Sequence, residues 1–295
     1  MPRCCAIIVT YNPDSSVLSQ LVDAVKPSVE QVLIVSNGGD LPPDLGAEIV
    51  LNSENIGLSS ALNQGIAWAE AREFSEVLLF DQDSHPSLEM VPELRNALAG
   101  LEQSGKKIAA VGPVYVDPRS GVVFPFLRWH LPKNIEVLGN PGETVATDFL
   151  ITSGTLIPMG AIRDIGSMDD TLFIDNIDTD WCLRALEKGY QLRGVMSARM
   201  LHSIGNEVFI ARLPFGYSKQ LFIHSPPRLY YIMRNRILLY RRKHVSWTWI
   251  LQDIHRAIKH LTNLIVFLPD RALNLPAALR GLVHGVMGKS GRMHP

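Results

Sequence analysis

Val77-Leu78-Leu79-Phe80-Asp81-Gln82-Asp83-Ser84 is an apolar run of four that ends in two acids spaced one apart. The run is short for a buried helix and reads as a strand covered on both faces, as in a parallel sheet. In extended chain, residues i and i+2 project to the same side. Asp81 and Asp83 can therefore approach one hard cation, Mg2+ or Mn2+, with phosphate oxygens completing its shell. A plain polar turn is the alternative for this motif taken alone. Toward the N-terminus the pattern repeats. Strand cores stand at Cys5–Thr10, Gln31–Ser36 and Glu48–Leu51, and Ser15–Val25 and Leu58–Ala71 between them carry apolar residues at helical spacing. These strands end in Tyr11-Asn12-Pro13, Asn37-Gly38-Gly39 and the segment Asn52 to Gly57. Ligands of open parallel sheets bind beside the carboxyl ends of strands, so the four loops are predicted to converge on one cleft.

Toward the C-terminus, Leu88–Leu101 reads as a helix and Ile108–Val114 as a strand. Extended stretches near Val122–Trp129 and Thr147–Ile157 then predict an antiparallel addition to the sheet. A helix over Ile177–Lys188 stops at Gly189, ahead of strands Gln191–Val195 and Arg199–His202. Asp175, Asp178, Asp180 and Trp181 crowd the start of that helix. Capping and the macrodipole account for one or two of the acids. The functional reading makes one of them a general base toward an acceptor hydroxyl, with Trp181 as a stacking surface for a sugar ring. On these residues alone the two readings stand level. His202, at the end of its strand, is by itself more often structural than a ligand, and gains meaning as a third metal ligand only beside the Asp pair.

A chain of 295 residues with 46% hydrophobic and 19% charged residues can bury a full core, which excludes disorder. Its three cysteines include the adjacent Cys4 and Cys5 and offer no disulfide framework, which fits a reducing cytoplasm. No signal pattern opens the sequence, and no apolar run approaches the roughly 20 residues of a spanning helix. Charge divides the chain. From Arg228 onward 12 Lys/Arg face two acids, a balance of +10, while the preceding part holds 16 against 27, or -11. Two units are therefore expected, a Rossmann-like, mostly parallel α/β unit flanked by helices over 1–225 and a basic helical extension over 226–295. The segment Arg228 to Lys243 mixes aromatic, aliphatic and cationic residues, and predicts peripheral contact with the inner face of the cell membrane rather than nucleic acid. An ordinary packing layer with a solvated basic face is the alternative.

Taken together, Ile7 to Pro13, Ile34 to Gly38, Asn52 to Gly65, Asp81 to Ser84, Ser153-Gly154, Asp178 to Ala185, His202 and the basic tail resemble the family-two inverting glycosyltransferases of the GT-A fold, and rhamnosyltransferases among them. The resemblance spans nearly the whole chain. It implies that Thr10, Tyr11 and Asn12 line a nucleotide-sugar pocket and that Asn37, where many relatives carry Asp, faces the base or ribose. Asn55 and Gly57 would approach the diphosphate, although Gly57 also fits a purely structural turn. Asp81 and Asp83, with His202, would hold Mg2+ or Mn2+. Asp178 would be the catalytic base, Asp180 and Trp181 would meet the acceptor, and Arg234 could reach the diphosphate. The implied partners are a nucleotide-sugar donor such as dTDP-L-rhamnose and a lipid-linked or polysaccharide acceptor for a bacterial surface glycan such as O-antigen.

Two alternatives belong to other classes. A haloacid dehalogenase-type phosphatase also uses a strand ending in Asp-x-Asp, but that strand opens its chain and the Thr10 to Asn12 and Asn55 to Gly57 loops would go unexplained. A non-catalytic carbohydrate-binding protein would have no need of Asp81, Asp83, Asp178 and His202 together. A nucleotidyltransferase lacks support, because no Gly-rich loop with a following basic residue opens the sequence.

Overall fold

In the computed structural model the apolar runs of the first half become strands of one nine-stranded sheet, buried except for the edge strand Glu48–Leu51. The structure describes residues 2–118, 121–201, 207–212, 218–267 and 270–293, with 207–212 and 218–223 described by backbone alone. The elements are β1 (Cys4–Thr10), α1 (Ser15–Val25), β2 (Gln31–Ser36), β3 (Glu48–Leu51), α2 (Leu58–Glu70), β4 (Glu76–Asp81), β5 (His85–Pro86), α3 (Met90–Gln103) and β6 (Ile108–Val116). Then come β7 (Phe126–Arg128), β8 (Ile135–Val137), β9 (Thr144–Thr147), β10 (Thr155–Pro158), α4 (Met159–Ile165), α5 (Ile177–Glu187) and β11 (Gln191–Leu201). The chain continues through β12 (Glu207–Arg212), β13 (Ser218–Ile223), α6 (Pro226–Tyr240), α7 (Trp247–Val266) and α8 (Arg271–Val286).

The sheet runs β3-β2-β1-β4-β10-β6-β11-β5, with β9 also on β11. β1 to β4 are parallel, as are β6 and β11, whereas β10 lies antiparallel between β4 and β6. The expected antiparallel addition is thus an insertion at the centre of the sheet by β10 and an edge contribution by β9. The two strands expected after α5 form one, interrupted by an irregularity between Val195 and Arg199.

Every residue of β1 is buried, and strand alternation divides them between two layers. Cys5, Ile7 and Val9 pack with Leu62 and Ile66 of α2, while Cys4, Ala6 and Ile8 pack with Leu18 of α1 and Leu94 of α3. The sheet is therefore sandwiched, and its strand ends are the part left open.

The basic segment Arg228 to Lys243 departs from expectation. Leu229, Tyr230, Tyr231, Met233, Arg234, Asn235, Leu238 and Leu239 of α6 are buried, so this helix is a packing layer rather than a membrane-facing surface. α8 lies against it through Ala278, Gly281 and Gly285. A Cβ at Gly285 would stand 2.8 Å from the Arg234 oxygen, so small residues set the approach of the two helices. Among the described residues no helix is long and apolar enough to cross a membrane.

Candidate active site

Parallel pairing aligns Val9 of β1 with Val35 of β2 and Asp81 of β4, so Thr10, Asn37 and the acidic loop emerge side by side. Gln82, which separates the two acids, ties the loops together. Its Oε1 accepts from Tyr11 N at 2.6 Å and its Nε2 donates to Tyr11 O at 3.2 Å, an amide standing in for a strand partner. Tyr11 and Asn12 are exposed. Thr10 is 1% exposed, and its hydroxyl is buried with no protein partner, below the surface it was expected to line.

The Asn52 to Gly57 loop is held from within. Asn37, expected to face a base or ribose, is buried and donates through Nδ2 to Gly57 O at 3.1 Å, while its Oδ1 accepts from Asn52 Nδ2 at 3.0 Å. Asn55 Oδ1 accepts from Gly57 N at 2.9 Å. Gly57 has φ of +90°, and a Cβ there would stand 2.7 Å from the Phe173 oxygen, which caps the first amide of α2 at Leu58. The close approach that requires glycine is made by Phe173, so the structural turn accounts for Gly57 without a diphosphate contact.

Asp81 is half-buried and Asp83 is exposed. Burial, then the negative charges of Asp83 and Asp178, push the Asp81 carboxyl up to about 7, against the pull of Arg228. Asp81, Asp83, Asp175 and Asp178 thus lie near one another, with the Arg228 guanidinium among them. Burial likewise raises Asp178 to about 6, opposed by the Thr179 amide and assisted by Asp175. The Thr179 N–H donates to Asp178 Oδ1 at 2.7 Å, so this carboxylate is anchored at the α5 N-terminus.

The segment ahead of α5 is strained. Phe173, Asp175 and Asn176 all have φ above 60°, a region that costs non-glycine residues energy and persists only where surroundings enforce it. α6 supplies that enforcement. Asn235 Nδ2 lies 3.0, 2.8 and 2.9 Å from the oxygens of Leu172, Ile174 and Asp175, and Arg228 Nη2 donates to Asp175 Oδ1 at 2.6 Å. Sequence reasoning missed Gln82, Asn235 and Arg228, whose partners lie far along the chain. It named Arg234 instead, which is 0% exposed and bonded to Leu172 O and Gly291 O. Arg234 holds the fold, and Arg228 is the cation of the cleft.

α5 sends its two acids to opposite sides. Asp180 is 1% exposed and paired with Arg184 Nε at 2.8 Å and His244 Nε2 at 2.9 Å. Trp181 is buried in the core, its Nε1 donating to Gly166 O at 2.9 Å. Neither can meet an acceptor, because both are turned inward by packing; this corrects their expected roles. A cavity of about 450 Å3, lined by His244, Trp129, Leu186 and Trp249, lies on that other side of α5 and contains none of the cleft acids.

Among the described residues no group of three His, Cys, Asp or Glu is arranged to hold a metal. His202 lies outside the described residues. Asp81 and Asp83 nevertheless suit a divalent cation, since the repulsion from neighbouring acids that helps raise Asp81 outweighs the pull of Arg228 and a bound cation would relieve it.

No family model matches the chain. It is 29% identical over 297 residues to the dTDP-rhamnosyl transferase RfbF of Shigella flexneri, covering 97% of this chain and 96% of that protein. Its fold matches S. aureus TarS 1-349 in complex with UDP-GlcNAc, with a TM-score of 0.58 at 12% identity over 97% of this chain and 81% of the other. It also matches GalNAc-T7 with UDP, GalNAc and Mn2+, with a TM-score of 0.57 at 14% identity over 68% of this chain and 43% of the other. A full-length transferase relative sets aside the phosphatase and the non-catalytic binding protein. Fold and relative agree: the chain has the GT-A fold and is similar along nearly its whole length to a rhamnosyltransferase, a hexosyltransferase.

Proposed function

We propose that the protein transfers L-rhamnose from dTDP-L-rhamnose, with inversion, to a hydroxyl of a lipid-linked or polysaccharide acceptor in bacterial surface-glycan synthesis. The α/β unit of 1–225 would hold the reaction and the helices of 226–295 would brace it. The observation that carries this reading is that Asp178 and Asp81, far apart in sequence, lie close enough for one charge to shift the other. Asp178 takes the proton of the acceptor hydroxyl, whose oxygen attacks the anomeric carbon from the face opposite the departing dTDP. Arg228, charged beside Asp81 and Asp83, offsets the negative charge that builds on the departing diphosphate. Exposed Tyr11 and Asn12 border the donor. Asp81 and Asp83 would hold Mg2+ or Mn2+, which when bound supplies positive charge to the diphosphate.

A panel of nucleotide sugars incubated with lipid-linked acceptors, with products read by mass spectrometry and anomeric configuration by NMR, tests the proposal. Rhamnose transfer from the dTDP donor with inverted configuration is expected, and Asp178→Asn should retain donor binding while losing transfer. Transfer of a different sugar in preference, or retained configuration, would overturn it.

A further inference from the structure

The C-terminal helices leave apolar surface uncovered. On α7, Trp247, Leu251, Ile254, Ile258 and Ile265 are 68%, 49%, 39%, 59% and 47% exposed. Leu261, half-buried, completes a spacing that alternates four and three residues, which confines them to one stripe along the whole 20-residue helix. The opposite face packs inward through Trp249, Gln252, Asp253 and Leu264. Single exposed apolar side chains are ordinary on a protein surface, but a continuous line of large ones marks a contact.

Charge identifies the occupant. His255 and Lys259 are exposed on α7, Arg241 and Lys243 precede it, and Arg280 and Lys289 are exposed farther on. The region from Arg228 onward holds two acids, and one of them is spent inward: Asp253 is 4% exposed, bonded to Tyr240 at 2.7 Å and paired with Arg256 at 3.2 Å and Arg236 at 3.5 Å. The outer surface is therefore apolar and cationic, with Asp270 as its acid. A second copy laid on the stripe would bring cations toward cations, whereas an anionic bilayer offers complementary charge and an apolar boundary together.

We propose that the α7 stripe docks the protein on an anionic lipid surface, with the helix lying in the plane of the interface and Trp247 among the headgroups. This rests on the reading that the acceptor is lipid-linked, and it gives α7 the task that the sequence had assigned to the segment now buried as α6. Co-sedimentation of the full chain with phosphatidylglycerol-rich or phosphatidylcholine vesicles, without donor or acceptor, tests it. Wild type should partition onto the anionic vesicles roughly tenfold or more above the neutral ones, and raised salt should weaken it. Leu251→Glu with Ile258→Glu should abolish that excess while the melting temperature and transfer to a water-soluble acceptor stay unchanged. Failure of wild type to bind, equal binding by the double variant, or a solution dimer that the double variant splits would each overturn the proposal. Vesicle binding without rhamnose transfer would instead refute the transfer reaction and leave the docking surface standing.

Discussion

The side-chain nitrogen of Asn235 on α6 donates to the backbone oxygen of Asp175 at 2.9 Å, in the turn that leads to Asp178. The C-terminal helices are thereby coupled to the turn that carries Asp178, because the same nitrogen also meets the oxygens of Leu172 and Ile174. Asn235→Leu keeps the volume but removes the donor; Leu172 O keeps Arg234, while the loss at the Ile174 and Asp175 oxygens should cost about 2–3 kcal/mol of stability. The expected kinetic signature is a kcat lowered by roughly tenfold, about 1.4 kcal/mol, with little change in donor KM. Lost stability with an intact kcat per folded molecule would mean that the turn is fixed by other contacts.

Asp178 sets a pH limb. Burial above all, opposed by the Thr179 amide and assisted by Asp175, holds its carboxyl at about 6. A general base works only when ionised, so kcat should be level at neutral pH and fall as pH drops through about 6. Asp178→Asn should lower the rate by about 10^2–10^4 and flatten that limb. A limb centred near the ordinary 3.8 would deny Asp178 the role.

The cleft acids trade stability for charge. Asp81 is raised from 3.8 to about 7, so the folded form holds its proton more tightly than the unfolded chain does. The contribution of Asp81 to stability is thus greatest below 3.8 and is lost as pH rises toward 7. Asp81→Asn should escape that loss and stabilise the metal-free protein by about 2 kcal/mol at pH 8, after discounting for partial exposure, with no gain below about pH 4. Added Mn2+ should raise the melting temperature of wild type and leave the variant nearly unmoved. Equal metal-dependent shifts in both would argue against Asp81 as a ligand.

Asp180 should behave as a structural acid. Burial opposes its charge, but His244 and Arg184 outweigh burial and hold it below the usual carboxylate range. Its contribution to stability is present above that range and is lost only as pH falls through the depressed value. Asp180→Ala leaves the Arg184 guanidinium without its acid and His244 without its partner, and should cost about 3–5 kcal/mol in urea unfolding. Acceptor KM should not change; a large rise without destabilisation would restore the acceptor role.

Gln82 offers a narrower test. Replacing it by Ala removes both bonds to Tyr11 and should raise donor KM roughly tenfold, at about 0.5–1.5 kcal/mol for each bond. The stability change should be slight, since Tyr11 is 52% exposed. Isothermal titration with dTDP reads the effect directly, and unchanged affinity would show that the clamp is dispensable.

The parallel sheet was legible because short apolar runs alternating with helical periodicity can bury themselves in few other ways. The Asp81/Asp83 pair was legible because it sits at a strand end, where extended geometry is local. The acids around α5 were harder. Helical periodicity separates Asp178 from Asp180 by angle, but it does not say which of the two faces solvent and which meets His244. The same limit explains the exchange of Arg234 for Arg228. Both lie on one basic helix, and burial of α6 against α8 and Leu172 decides which guanidinium is consumed by the fold.

By itself, the sequence determined the layered α/β sheet and the placing of its acidic loop at a strand end, since each follows from residues close together in the chain. Tertiary structure alone decided that Asn37 and Gly57 brace loops, that Trp181 is core, that α6 is buried and that α7 presents its apolar stripe outward. Those outcomes depend on which distant surface each helix meets, and local spacing carries no record of that encounter.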